Sequence, residues 1–183
     1  PSSWRYRAAE SIHEDLLRSL SKLDELLCHQ VGCSARMKIL SVDTSCDDSS
    51  VAIVDSAAWR LLAESTLSHT APMERFGGIV PEIASREHLK ALPLALQDCL
   101  TKAGLSLGDI DWFSVTHRPG LIGALLVGVS FVKSLAFATA KPFSVENHIE
   151  GHAVSPLLAS FAGAPPPPFP WISLVVSGGH TEL

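Results

Sequence analysis

The stretch Met37-Lys38-Ile39-Leu40-Ser41-Val42-Asp43-Thr44-Ser45-Cys46-Asp47-Asp48-Ser49-Ser50-Val51-Ala52-Ile53-Val54 decides the fold. Met37 to Val42 is a short buried-strand pattern, and Val51 to Val54 is another. The small polar run between them is turn chemistry. An acidic residue closing one strand, a polar turn and a returning strand make a hairpin that can hold a phosphate. Turn amides and the hydroxyl of Ser45 suit phosphate oxygens, and Asp43 suits a metal or a water. Asp47 and Asp48 extend the same loop. The plainer alternative is an ordinary Asp/Ser-rich turn.

Downstream, Trp59 to Leu67 can make a third strand. Phe76-Gly77-Gly78-Ile79-Val80-Pro81-Glu82 reads as a loop entering a helix, with Ser85 as a candidate N-cap. Leu89, Leu92, Leu96 and Leu100 mark an apolar stripe, Pro93 predicts a kink, and Gly104 predicts the stop. Arg86, Glu87 and His88 read as solvated surface. Trp112 to Thr116 is a strand, and Leu121 to Thr139 a helix with Gly123, Ala124 and Gly128 available for close approach. No Lys-Ser or Lys-Thr follows Gly128, which excludes a P-loop there. Pro142 to Val145 is a strand, and Gly163 to Pro170 an extended Pro-rich loop. Trp171 to Val176 predicts a buried strand, ending in Ser177-Gly178-Gly179, where amides stand free of side-chain bulk. Strands alternating with helices predict an α/β layered domain with a mixed sheet.

Composition narrows the classes. The 183 residues are 46% hydrophobic and 18% charged, enough to bury a sizeable core. The net charge of −5 makes the chain a poor stand-alone binder of nucleic acid, because phosphate neutralisation drives that affinity. Cys28, Cys33, Cys46 and Cys99 form no CxxC and read as reduced thiols of a cytoplasmic protein. The longest apolar run, from Leu121, meets Lys133 after twelve residues and reads as a buried helix rather than a membrane span. Residues 1–36 look like an extension. Ser11 and Glu14 form a capping box ahead of an amphipathic helix over about 11–28, and the functional domain is expected from Met37.

The chemistry-bearing stretch is Val145-Glu146-Asn147-His148-Ile149-Glu150-Gly151-His152. Asn147 can cap a helix that puts His148 and His152 on one face, the spacing two imidazole ligands of one metal need. An ordinary histidine pair on a helix has the same spacing. A zincin protease is disfavoured, because Ile149 stands where its glutamate must follow the first histidine.

Five blocks in this order carry a resemblance. They are Asp43-Thr44-Ser45-Cys46-Asp47-Asp48, Gly77-Gly78-Ile79-Val80-Pro81-Glu82-Ile83-Ala84-Ser85-Arg86, Pro119-Gly120-Leu121-Ile122-Gly123-Ala124-Leu125-Leu126-Val127-Gly128, Asn147 to His152, and Val176-Ser177-Gly178-Gly179-His180-Thr181. Together, from Met37 to Leu183, they resemble the tRNA N6-adenosine threonylcarbamoyltransferases, once labelled O-sialoglycoprotein endopeptidases. The resemblance implies the actin-like ATPase and sugar-kinase superfold. Residues 37–183 would be its first ribonuclease-H-like lobe, cut before the second. It implies transfer of threonylcarbamoyl from threonylcarbamoyl-AMP to the N6 of the adenosine beside the anticodon, in tRNAs reading codons that start with A. It implies one metal, Fe2+ or Zn2+, on His148 and His152, with an aspartate of the second lobe completing the protein ligands. It implies substrate contacts at Val175, Val176, Ser177, Gly178 and Gly179, and a phosphate loop at Asp43, Ser45, Asp47 and Asp48. No side chain is assigned as a catalytic acid or base. The implied partners are tRNA, the synthase of threonylcarbamoyl-AMP, a scaffold paralogue and a P-loop ATPase subunit, with no membrane. The first lobe alone is expected to be inactive.

One position departs from the family. Arg118 stands where a glycine is usual; it would be strained if the backbone there needed positive φ, and it could instead aim a charge at a phosphate. Rival readings are a non-catalytic scaffold paralogue, which would lack the histidine pair, and a kinase or ATPase of the same superfold.

Overall fold

The computed structural model describes residues 37–57, 60–69, 80–157, 168, 170–176 and 181–182. The helix expected over 11–28, Cys28, Cys33, Gly77, Gly78, Ser177, Gly178 and Gly179 lie outside the described residues.

Three strands open the domain: β1 (Lys38–Asp43), β2 (Asp48–Asp55) and β3 (Arg60–Ser68). Helix α1 (Pro81–Ala103), β4 (Trp112–Arg118), α2 (Ile122–Thr139), β5 (Phe143–Asn147) and the short α3 (His148–Val154) follow. Two two-residue strands, β6 (Val175–Val176) and β7 (Thr181–Glu182), pair with each other. The main sheet has the order β3-β2-β1-β4-β5. β1 runs antiparallel to β2 and parallel to β4, and β5 is parallel to β4. This is the mixed sheet with flanking helices that the pattern predicts.

Alternation along the strands sets the two faces of the sheet. Leu40, Val42, Val51, Ile53, Phe113 and Val115 are all buried on the face that α1 and α2 cover. Leu92, Ala95 and Cys99 of α1 and Val132 and Ala136 of α2 complete that core. Each large aliphatic or aromatic side chain buried there contributes roughly 1.5–3 kcal/mol relative to leaving it in water. α2 is long and apolar enough to cross a membrane by length and composition, yet its Ala124, Leu125, Gly128, Val132 and Ala136 are buried in the domain. Gly104 ends α1 in the left-handed conformation, with φ of 66°.

Three expectations are corrected. α1 starts at Pro81, not near Ser85; proline at the first turn lacks only an amide that has no helical partner, and Ser85 Oγ bonds back to the Pro81 carbonyl. The buried face runs through Ala84, His88, Ala91, Leu92, Ala95, Leu96 and Cys99, so His88 is fully buried and Leu89 is exposed, the reverse of their reading from sequence. Trp171 to Val176 is not a buried strand: only Val175 and Val176 pair, with β7, and Ile172, Leu174 and Val176 are exposed. That segment lies outside the five-stranded sheet, so no core covers it among the described residues. Pro93 lies inside α1 without ending it.

Candidate metal centre

Parallel pairing of β1, β4 and β5 brings their C-terminal ends to one edge of the sheet. Asp43 ends β1, Thr116 lies near the end of β4, and Asn147 ends β5. Asn147 is also the N-cap of α3, its side-chain oxygen accepting the Ile149 amide at 2.9 Å. The cap fixes where the helix begins, so His148 points back towards β1.

His148 Nδ1 lies 2.9 Å from Asp43 Oδ2 and 3.1 Å from Ser45 Oγ. A carboxylate can only accept, so it draws the imidazole proton to Nδ1 and leaves Nε2 with a free lone pair. His152 Nε2 lies 3.0 Å from His148 Nε2, one turn along, with the rings edge to face at 81°. Both imidazoles present the same nitrogen to one point. Zinc–nitrogen bonds of about 2.0–2.1 Å at angles of 90–110° require a separation of about 2.9–3.4 Å. The donor set therefore fits a single divalent ion. Among the described residues no third His, Cys, Asp or Glu joins the pair.

Asp43 is itself held in place. Its Oδ1 accepts the Ser45 amide at 2.7 Å, and its Oδ2 accepts the Thr116 hydroxyl at 2.9 Å. Burial pushes its carboxyl up, but the Ser45 amide, the Ser45 hydroxyl and His148 outweigh burial and hold it below the ordinary 3.8. The carboxylate is thus ionised where His148 needs it. A hollow of about 280 Å³ opens beside these groups, lined by Asp43, Ser50, Thr116, Glu146, His148 and Gly151 among others. A second, of about 310 Å³, lies on the His152 side, against Trp171, Ser173 and Leu174.

Two close approaches seat the loop after β1. A Cβ on Gly120 would meet the Ser45 carbonyl at 2.6 Å, and one on Gly128 would strike the Thr44 hydroxyl. Thr44 Oγ1 donates to the Ala124 carbonyl at 2.8 Å, and the Leu121 amide reaches the Ser45 carbonyl at 3.0 Å.

The site residues named from sequence divide accordingly. His148, His152, Asp43 and Ser45 come together. Asp47 and Asp48 do not join them: Asp47 gives its carbonyl to the His69 amide, and Asp48 starts β2 exposed. Val175 and Val176 form β6, which α3 approaches. Arg118 ends β4 without strain, since Ala140 is the one non-glycine with positive φ among the described residues. Sequence reading missed Thr116 and the structural role of His88; neither is marked by a local motif.

The model of the family described as tRNA N6-adenosine threonylcarbamoyltransferase matches residues 60–183. A curated protein of that name from Aromatoleum aromaticum is 49% identical over 147 residues, covering 80% of this chain and 42% of that protein. One from Thermus thermophilus is 48% identical over 147 residues, covering 80% and 43%. The chain thus spans less than half the length of these relatives. In fold, the chain is similar to the crystal structure of an uncharacterized protein with similarity to peptidase YEAZ from Pseudomonas aeruginosa. The TM-score is 0.51 at 22% identity, over 67% of this chain and 47% of that one. That likeness shows the fold: a mixed five-stranded sheet with flanking helices.

Proposed function

The chain belongs to the tRNA N6-adenosine threonylcarbamoyltransferase family, and from that premise we propose that it supplies the metal-binding half of the transferase site. The reaction is attack by the exocyclic amine of the adenosine beside the anticodon on the carbamoyl carbon of threonylcarbamoyl-AMP, with AMP leaving. The tRNAs are those reading codons that start with A. The observation that carries the reading is the pair of Nε2 atoms 3.0 Å apart, with Asp43 on the far nitrogen of His148.

His148 and His152 would hold one ion, Fe2+ or Zn2+, with further ligands from outside the described residues. Held there, an ion would supply Lewis-acid polarisation of a phosphate or carbonyl oxygen of the acyl donor. Asp43 keeps the proton of His148 on Nδ1 and turns its ring; this carboxylate–histidine pairing raises the basicity of the ligand. Thr116 and the Ser45 amide stop Asp43 from rotating away. The Asn147 cap sets the register of α3, so both imidazoles face one point. Val175 and Val176, followed by Ser177, Gly178 and Gly179, would offer amides to the threonylcarbamoyl or phosphate oxygens, and Asp47 and Asp48 would border the phosphate side. Holding donor and amine in a near-attack geometry is the main work asked of such a site. On this reading the protein acts in the cytoplasm with tRNA, the threonylcarbamoyl-AMP synthase, a scaffold paralogue and a P-loop ATPase subunit.

The test supplies the full-length protein with tRNA, threonine, bicarbonate, ATP and the synthase. Modified adenosine should form with the wild type and fall to background with His148→Ala. Unchanged modification in that variant would overturn the metal assignment.

A further inference from the structure

Under the loop that follows β1, three side chains form a buried chain of hydrogen bonds. His88 Nε2 lies 3.1 Å from the Cys46 carbonyl oxygen, His88 Nδ1 lies 2.7 Å from Ser49 Oγ, and His69 Nε2 lies 2.9 Å from the same Oγ. Ser49 and His88 are fully buried and His69 nearly so. The chemistry of each atom fixes the direction of the chain. A carbonyl only accepts, so His88 carries its proton on Nε2. Its Nδ1 is then an acceptor, and the Ser49 hydroxyl donates to it. Having spent its one proton, Ser49 Oγ accepts from His69, which carries a proton on Nε2. The polarity runs from His69 through Ser49 and His88 to the Cys46 carbonyl, and the His88 ring, accepting at Nδ1, is neutral.

Burial keeps these groups from any substrate, so neither Ser49 nor His88 is a nucleophile or base for the reaction. What they grip is the loop. Three consecutive carbonyls there have no strand partner, and a different element satisfies each. Ser45 O takes the Leu121 amide, Cys46 O takes His88, and Asp47 O takes the His69 amide at 2.9 Å. Cys46 adjoins Ser45, whose Oγ lies 3.1 Å from His148 Nδ1 and whose amide holds Asp43.

We propose that His88 is a positioning residue for the His148 and His152 pair: by holding the Cys46 carbonyl it fixes the turn that aims Ser45 and Asp43 at His148. The proposal rests on the function given above and extends it to a group that touches neither substrate nor ion. Only the Nε2 donor reaches the loop. The Cys46 carbonyl keeps the proton on Nε2, and the Ser49 hydroxyl donates to the Nδ1 left free.

That division sets the test, made on the full-length protein. In His88→Gln the amide nitrogen reaches about where Nε2 was; in His88→Asn it stops near Nδ1. Zn2+ affinity is read by chelator competition, and kcat and KM are read from adenosine modification. The expected result is that His88→Gln stays within about threefold of wild type in both readings. His88→Asn should weaken Zn2+ binding about tenfold and lower kcat about tenfold, with KM for the acyl donor shifted less than about twofold. Equal behaviour of the two variants would overturn the proposal. Nitrogen NMR of the wild-type imidazoles gives a reading that does not depend on either variant folding. His88 should be the neutral Nε2–H tautomer at pH 7. A wild-type His88 protonated on Nδ1 would overturn the proposal as well. Should the wild type modify no tRNA, the transferase reading falls, while Zn2+ competition and the nitrogen shifts still decide the role of His88.

Discussion

Asp43 Oδ2 and His148 Nδ1 lie 2.9 Å apart although 105 residues separate them in the chain. One proton thus joins the end of the first strand to the helix that carries the metal-facing imidazoles. Replacing Asp43 by Asn keeps the shape and removes the charge that selects the tautomer. Chelator competition on the full-length Asp43→Asn protein is expected to show Zn2+ affinity lowered about ten- to a hundredfold. Unchanged affinity would mean that the carboxylate does not tune the ligand.

Gly128 backs onto Thr44 with no room for a methyl group. Gly128→Ala must push helix α2 from the loop or break the Thr44 bond to Ala124. A loss of about 1–3 kcal/mol in urea unfolding is expected, as for other overpacked sites. Gly108→Ala is the control, because its nearest neighbour is the Ser106 hydroxyl at an ordinary 3.6 Å.

His88 gives stability a pH dependence with a definite sign. Burial pushes its imidazole below the ordinary 6.5; the Cys46 carbonyl opposes this, and His69 adds to the lowering. In mildly acid solution the unfolded chain therefore binds a proton that the folded chain refuses. The contribution of His88 is whole above pH 6.5 and is lost as pH falls from there through the lowered folded value. Unfolding free energies should decline across that window more steeply in the wild type than in His88→Gln. Parallel curves would show that His88 titrates alike in both states.

Cys99 is fully buried, and burial pushes its thiol up to about 11. Iodoacetamide at pH 8 should leave Cys99 unmodified in the native protein and alkylate it in urea. Mass spectrometry of the peptide containing Cys99 reads the outcome. Rapid native labelling would show that α1 opens from the sheet.

The sequence makes the sheet legible where signals are local. The hairpin of β1 and β2, the helix after Pro119-Gly120, the Gly104 stop and the Asn147 cap each rest on a few adjacent residues. His88 was not legible, because a histidine carries no apolar signal of burial and its partners, the Cys46 carbonyl and the Ser49 hydroxyl, lie far from it in the sequence. Asp43 was legible as a site residue, but not as the partner of His148. That contact comes from the parallel pairing of β1, β4 and β5, which leaves no mark on the spacing of either motif. The exposed Trp171 to Val176 segment shows the converse: apolar residues in strand spacing predict burial only if a sheet receives them.

The strand order has a consequence for when the site exists at all. β1 meets β5 only through β4, and both parallel joints close long stretches of chain, with α2 lying between β4 and β5. Contacts of such sequence separation form late, since their loop entropy is lost before the contact repays it. The local hairpin and the helices can condense earlier. The orientation of His148 by Asp43 is therefore a timestamp: a nascent chain in which it can be detected has already paired β1 with β4 and β4 with β5.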